Sequence, residues 1–164
     1  MAEQEEIPIA LYVVVGRIVV SWAYLEMAVD QCVIIAHKGC GGNNIEQDIP
    51  KTLKQKIKFL KKSFSELKSL SKFKDEGLAL TSRVADFAEE RHRLAHGAFV
   101  GIDPKIGSYK FVKLDYNKTT FKALTSRRTF LELDQIGKQI HDLSAEYAAI
   151  SNRMALNFPK SVEA

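Results

Sequence analysis

Only two cysteines, Cys32 and Cys40, occur in the 164 residues. They are too few, and lack the paired spacing, for a disulfide framework or a zinc site. A reducing compartment suits such a chain, and a cytoplasmic protein is expected. A long uncharged apolar run is also missing: Ile7 to Gly16 and Ile18 to Leu25 are uncharged, but Arg17, Glu26 and Asp30 interrupt the window that a membrane-crossing helix needs. No membrane is therefore expected as a partner. The acidic stretch Met1-Ala2-Glu3-Gln4-Glu5-Glu6 lacks the basic start of a secretory signal. Residues 39–44, Gly-Cys-Gly-Gly-Asn-Asn, lack the Gly-Lys-Ser/Thr ending of a phosphate-binding loop and follow a helical segment, so they read as a flexible connection. His37 with Cys32 and Cys40 offers three side chains without metal-ligand spacing, and neither a metal nor a cofactor is expected. Asn117-Lys118-Thr119 matches a glycosylation acceptor, which carries no meaning in the cytosol.

What is present is an ordinary globular composition. With 46% hydrophobic and 27% charged residues, the chain has enough apolar material for one core, and a single domain over residues 1–164 is expected. The net charge of +4 is unevenly placed: residues 51–75 hold nine lysines against Glu66 and Asp75, a local +7 that leaves the remainder at −3. Such a segment favours a polyanion through counterion release. Lys54, Lys58 and Lys61 are its candidates for contacting RNA phosphates. A solvated helix face is the competing reading, and for lysine runs alone it is the commoner one.

Periodicity divides the chain into four helices and one change of character. Residues 8–38 read as one long helix, apolar almost all round, as suits an element buried by several neighbours or by a second subunit. Two strands are the rival, since Tyr12-Val13-Val14-Val15 and Ile18-Val19-Val20 are β-prone and flank Gly16. Helix is preferred because nothing breaks the pattern between Ser21 and Gly39, and Trp22, Glu26 and Asp30 recur on one helical face. A second helix over about 52–70 carries Leu53, Ile57, Leu60, Phe64 and Leu67 as a packing seam. A third runs over 78–96, and a fourth over 133–156 with Ile136, Ile140, Leu143, Tyr147, Ile150 and Met154 inward and His141 on the surface. Between the last two, over about 98–130, short β-prone pieces around turn signals predict a small antiparallel hairpin or three-stranded flap. Its Lys105, Lys110, Lys113, Lys118, Lys122, Arg127 and Arg128, interleaved with Tyr109, Phe111 and Tyr116, offer phosphate contacts and base stacking for single-stranded RNA. A solvated face over a small aromatic cluster is an equal alternative.

The third helix ends in Arg91-His92-Arg93-Leu94-Ala95-His96-Gly97. Leu80, Val84, Phe87 and Leu94 form an apolar stripe, and Arg91 falls on it, where a charge is unexpected. His96 is rotated by about 140° from Arg91, so the two cannot share one face of one helix, whereas His92 and His96 do. Gly97 is expected to stop the helix in a left-handed conformation. Glu26 and Asp30, carboxylates on a mostly apolar helix, need cationic partners, and Arg91 is the obvious one.

The pattern of Arg91, the polar His92 and then His96 at a helix end resembles the signature of the HEPN superfamily (higher eukaryotes and prokaryotes nucleotide-binding), as does Ser21-Trp22-Ala23-Tyr24-Leu25-Glu26 in an apolar first helix. The resemblance in layout covers most of the chain, and in residues only these two segments. It implies a mainly α fold, an up-and-down four-helix bundle, here with the small antiparallel insertion between helices 3 and 4. It further implies a protein, often dimeric, that cleaves RNA without a metal and serves in toxin, phage-defence or stress systems, with an antitoxin or regulatory protein as a partner. Some toxin members carry a tyrosine two residues after the histidine, where a partner enzyme modifies it. This chain has Ala98, so an antitoxin acting through that tyrosine is not supported.

The chemistry suits these residue types. RNA supplies its own nucleophile, the 2′-hydroxyl, leaving proton transfer and charge stabilisation to the protein. His96 suits the first because imidazole titrates near neutrality. Arg91 suits the second because guanidinium stays charged and grips two phosphate oxygens. His92 reads as a positioning or hydrogen-bonding residue of the catalytic group and Arg93 as a phosphate contact, with Glu26 and Asp30 fixing the Arg91 side chain. Since Arg91 and His96 point apart, a two-fold homodimer with a composite active site is expected. The alternative is a non-catalytic helical module binding nucleotide, nucleic acid or a partner protein, in which Arg91 is half of a structural ion pair and His96 merely a helix end.

Overall fold

The structure, a computed structural model, describes residues 7–117 and 119–157. The chain is mainly helical, with four helices and a three-stranded antiparallel sheet placed before the last of them. Helix α1 (Ile9–Gly39) begins after an extended Pro8, whose fixed φ and missing N–H suit a helix entry. The β-branched run at its start is helical because packing outweighs propensity. Leu11, Val14, Ile18, Trp22, Leu25, Val29, Cys32 and Ala36 are buried at spacings of three and four, and this seam lies along α4 (Phe130–Asn157). From α4, Ile140, Leu143, Tyr147, Ile150 and Met154 are fully buried. Each such side chain contributes about 1.5–3 kcal/mol relative to exposure, so the α1/α4 seam is the main spine of the core.

Helix α2 (Leu53–Glu66) starts with a capping box: Gln55 N–H donates to Thr52 Oγ1 at 3.3 Å, and Thr52 N–H donates to Gln55 Oε1 at 3.0 Å. It ends four residues before the expected Leu70. Leu67 is extended, and a 3₁₀ turn over Lys68–Phe73 folds Leu70 and Phe73 into the core. The connection at 39–44 is likewise partly ordered, as a 3₁₀ turn over Gly42–Asn44. Helix α3 (Lys74–His96) therefore begins four residues earlier than the expected 78. It is tied to α4 by a buried hydrogen bond of 2.7 Å between Thr81 Oγ1 and Tyr147 Oη. Phe64 of α2 lies against Gly77 of α3, where a Cβ would fall 2.5 Å from the ring.

The insertion is a meander, β1 (Ala98–Asp103), β2 (Ser108–Asn117) and β3 (Thr120–Arg128), in that spatial order. At the β1–β2 turn, Asp103 Oδ1 accepts from Lys105 N–H at 3.0 Å. The register pairs Phe111 with Ser126, Lys113 with Leu124 and Asp115 with Lys122. Since strand side chains alternate, these residues share one face of the sheet with Tyr109 and Arg128. That face turns toward the helices: Tyr109 and Phe111 are buried, and Arg128 donates from Nε at 2.9 Å and pairs through Nη2 at 2.8 Å with Glu90 of α3. The sheet is thus held against the end of α3 that carries the histidines.

Helix α1 is long and apolar enough, by length and composition alone, to cross a membrane, and 44% of its most apolar 18-residue window is buried by the rest of the chain. Arg17, Glu26 and Asp30 are too widely spaced to take it out of that class. The side of α1 away from the core is itself apolar. Ile9, Val13, Val20, Tyr24, Met27 and Ile34 are exposed along one stripe, with Gly16 between them. Among the described residues the helix is therefore not enclosed on several sides.

Candidate active site

The last turn of α3 places His92 and His96 one turn apart, both exposed, with ring centroids 4.6 Å apart and planes tilted by 59°. His92 is held from the sheet: Lys113 Nζ lies 2.8 Å from His92 Nε2. A lysine ammonium only donates, so this contact requires a lone pair on Nε2 and hence a neutral imidazole carrying its proton on Nδ1. Desolvation, followed by the charges of Lys113, His96 and Arg91, holds the His92 pKa below the ordinary histidine value, which agrees with a neutral ring.

Arg91 occupies the apolar stripe as its spacing predicts. It is half-buried, its Nε is fully buried without a hydrogen-bond partner, and no ion pair reaches it among the described residues. The expected carboxylate partners are elsewhere. Asp30 is in an ion pair with Lys56 of α2, whose ammonium approaches off the line a hydrogen bond needs, and Glu26 is exposed. The reason is geometric. Trp22 is buried while Glu26 points outward, so the face the three residues were expected to share is split between core and solvent.

Arg93 is exposed and paired with Glu89 one turn back. Lys54, Lys58 and Lys61 are exposed on α2, and no hydrogen bond or ion pair joins them to the motif among the described residues. Tyr109 and Phe111 are excluded from base stacking, because both are packed into the core with Phe99, at ring centroid distances of 6.2 and 6.3 Å. Tyr116 is exposed and stands opposite the equally exposed Phe121, an aromatic pair that the sequence reading did not single out. Lys118 lies outside the described residues.

Gly97 corrects a second expectation. It follows α3 in an extended conformation, φ −85° and ψ 128°, open to any residue. It is glycine for want of room: a Cβ would sit 2.7 Å from the Arg93 carbonyl oxygen and 3.2 Å from Phe111 Cβ. Gly97→Ala is therefore expected to destabilise the fold by about 1–3 kcal/mol through overpacking. Denaturant titration checks this, and an unchanged midpoint would show that the sheet does not need this close approach.

Two hollows flank the motif. One, of about 370 Å³, lies between α3 and the inner face of β2 and β3. The other, of about 470 Å³, is apolar and runs from the exposed stripe of α1, at Tyr12, Gly16 and Val20, to Leu94 and Gly97. The Lys113–His92 contact was missed in the sequence, whereas the apolar outer side of α1 was legible there as a helix apolar almost all round. The contact was signalled by the alternation Tyr109, Phe111, Lys113, and the stripe by the apolar residues left over once one buried seam is assigned.

No protein-family model, curated protein or solved structure matches the chain.

Proposed function

We propose that this chain is a metal-independent endoribonuclease of the HEPN kind, a four-helix bundle acting in the cytoplasm as a homodimer with a composite active site. One observation carries the reading: a permanently charged Arg91, set in an apolar stripe with a buried Nε and no ion-pair partner among the described residues, beside two exposed histidines. A buried polar group without a partner costs about 1–3 kcal/mol, and a substrate phosphate repays that cost.

In the reaction, His96 takes the proton of the 2′-hydroxyl and the 2′-oxygen attacks the adjacent phosphorus. The bond from phosphorus to the 5′-oxygen breaks, and that oxygen leaves with a proton from the second copy's motif. The products are a 2′,3′-cyclic phosphate and a 5′-hydroxyl end. Arg91 faces the charge that accumulates on the non-bridging oxygens. His92, neutral and tethered to Lys113, steadies the imidazole of His96, whose ring is tilted against it one turn on. The apolar stripe of α1 supports the dimer, because contiguous exposed apolar surface of this kind marks an interaction site. The hollow that joins the stripe to Leu94 and Gly97 supports a partner lying beside the motif. Toxin, phage-defence and stress roles, with an antitoxin or regulatory protein as partner, follow from the same reading.

Incubating the purified protein with mixed RNAs in chelator tests it. Cleavage leaving cyclic phosphate ends, with DNA of the same sequence intact, is expected. Intact RNA, or cleavage of both nucleic acids, would remove the proposal.

A further inference from the structure

The hollow between α3 and the sheet joins two kinds of surface. Gly97, Phe111 and Leu124 give it apolar walls, while Lys113, Ser126 and the ion-paired Glu89 and Arg93 supply polar groups. Its volume of about 370 Å³ falls within the range of roughly 300–1,000 Å³ usual for small-ligand sites. Lys113 belongs at once to this hollow and to the histidine pair, its Nζ lying 2.8 Å from His92 Nε2. A ligand that binds Lys113 through a phosphate therefore has its phosphate beside His92 and its attached group in the hollow. A group with both apolar faces and hydrogen-bonding edges matches this lining.

We infer that the hollow is a nucleobase subsite, and that Lys113 holds the phosphate between that base and His92. The inference rests on the nuclease reading for its place in a reaction, but not for its occupant. Leu124 and Ser126 face inward on β3, and Glu89 lies on the helix side. Base edges then meet the Ser126 hydroxyl and the Arg93–Glu89 ion pair, while a face meets Leu124. The sheet is thereby assigned the choice of base, and α3 the chemistry.

The test is a titration of isotope-labelled protein, followed by NMR, with the four nucleoside 3′-monophosphates, ribose 5-phosphate and inorganic phosphate. The nucleotides are expected to shift the amides of Leu124, Thr125 and Ser126 together with the His92 ring, and to differ among the four bases. The two base-less phosphates are expected to shift His92 alone. Lys113→Met should weaken nucleotide binding about tenfold, the loss of one charge-assisted hydrogen bond. It should also raise the titration midpoint of His92, whose remaining charged neighbours are His96, Arg91 and Asp115. Ser126→Trp should block the nucleotides and leave phosphate binding unchanged. Identical shifts from nucleotides and ribose 5-phosphate, or unmoved Leu124, Thr125 and Ser126 signals in the parent protein, would overturn the inference. If the parent cleaves RNA while those signals stay still, the subsite is refuted and the nuclease reading stands. If nucleotides fill the hollow and no RNA is cut, the nuclease reading fails and the subsite stands.

Discussion

A protein carrying His96→Ala is expected to lose about 10²–10⁴-fold in RNA cleavage, the range for removing a general acid–base group, while melting as the parent does. The side chain is exposed at the helix end, and its ring neighbour is the equally exposed His92. Arg91→Met is expected to behave differently. Cleavage should fall by about 10²–10³-fold, as when a group facing transition-state charge is removed. The protein should nonetheless become more stable by about 1 kcal/mol, because a buried, unpartnered Nε is replaced by a thioether on an apolar stripe. In a chain of this size that amounts to a rise of about 2–4 °C in melting temperature. Calorimetry and a cleavage assay on the same preparations check both. An Arg91→Met protein that melts lower than the parent would show that Arg91 is structural, as the module reading holds.

Placing Glu at Val20 and at Met27 is expected to convert a dimer to a monomer and to abolish cleavage, leaving the helical content unchanged. Both positions are exposed on the outer stripe of α1, so added charge is tolerated by the folded chain and penalised only where a second apolar surface covers it. Neither residue belongs to the histidine cluster. A fall in activity that tracks the fall in mass would therefore report that each site needs two copies. Sedimentation gives the mass. A parent protein that sediments as a monomer, or that pellets with lipid vesicles while the double variant does not, would reject the dimer.

Helix positions were legible because apolar spacing records which side of a helix is dry. The seam of α4 fell where its pattern put it, and the β-prone pieces became the strands of the sheet. On α2, Leu60 and Phe64 are buried as expected, but Phe59 joins them while Leu67 lies past the helix end. Helix ends were less legible. Capping side chains and local turns decide them, as when the extended Leu67 stops α2 and lets Leu70 and Phe73 pack inward. Tyr109 and Phe111 were open to a stacking role because alternation shows that two residues share a face without saying which face is covered. Packing with Phe99 settled it. The expected pairing of Arg91 with Glu26 and Asp30 failed for a related reason. Charges of opposite sign on two helices meet only if the rotation of each about its axis brings them together, and Asp30 instead faces Lys56.

The residues alone determined the four helices, the β insertion between the third and fourth, the odd arginine on an apolar stripe, and the two histidines on one face. Each follows from spacing within a single element, where backbone geometry leaves little freedom. Tertiary structure alone decided that Lys113 reaches His92, that Gly97 is demanded by the nearness of Phe111, and that one side of α1 stays uncovered. These are relations between elements distant in sequence. They depend on how the sheet folds back over α3 and how far around α1 its neighbours extend, and no local pattern of side chains encodes either.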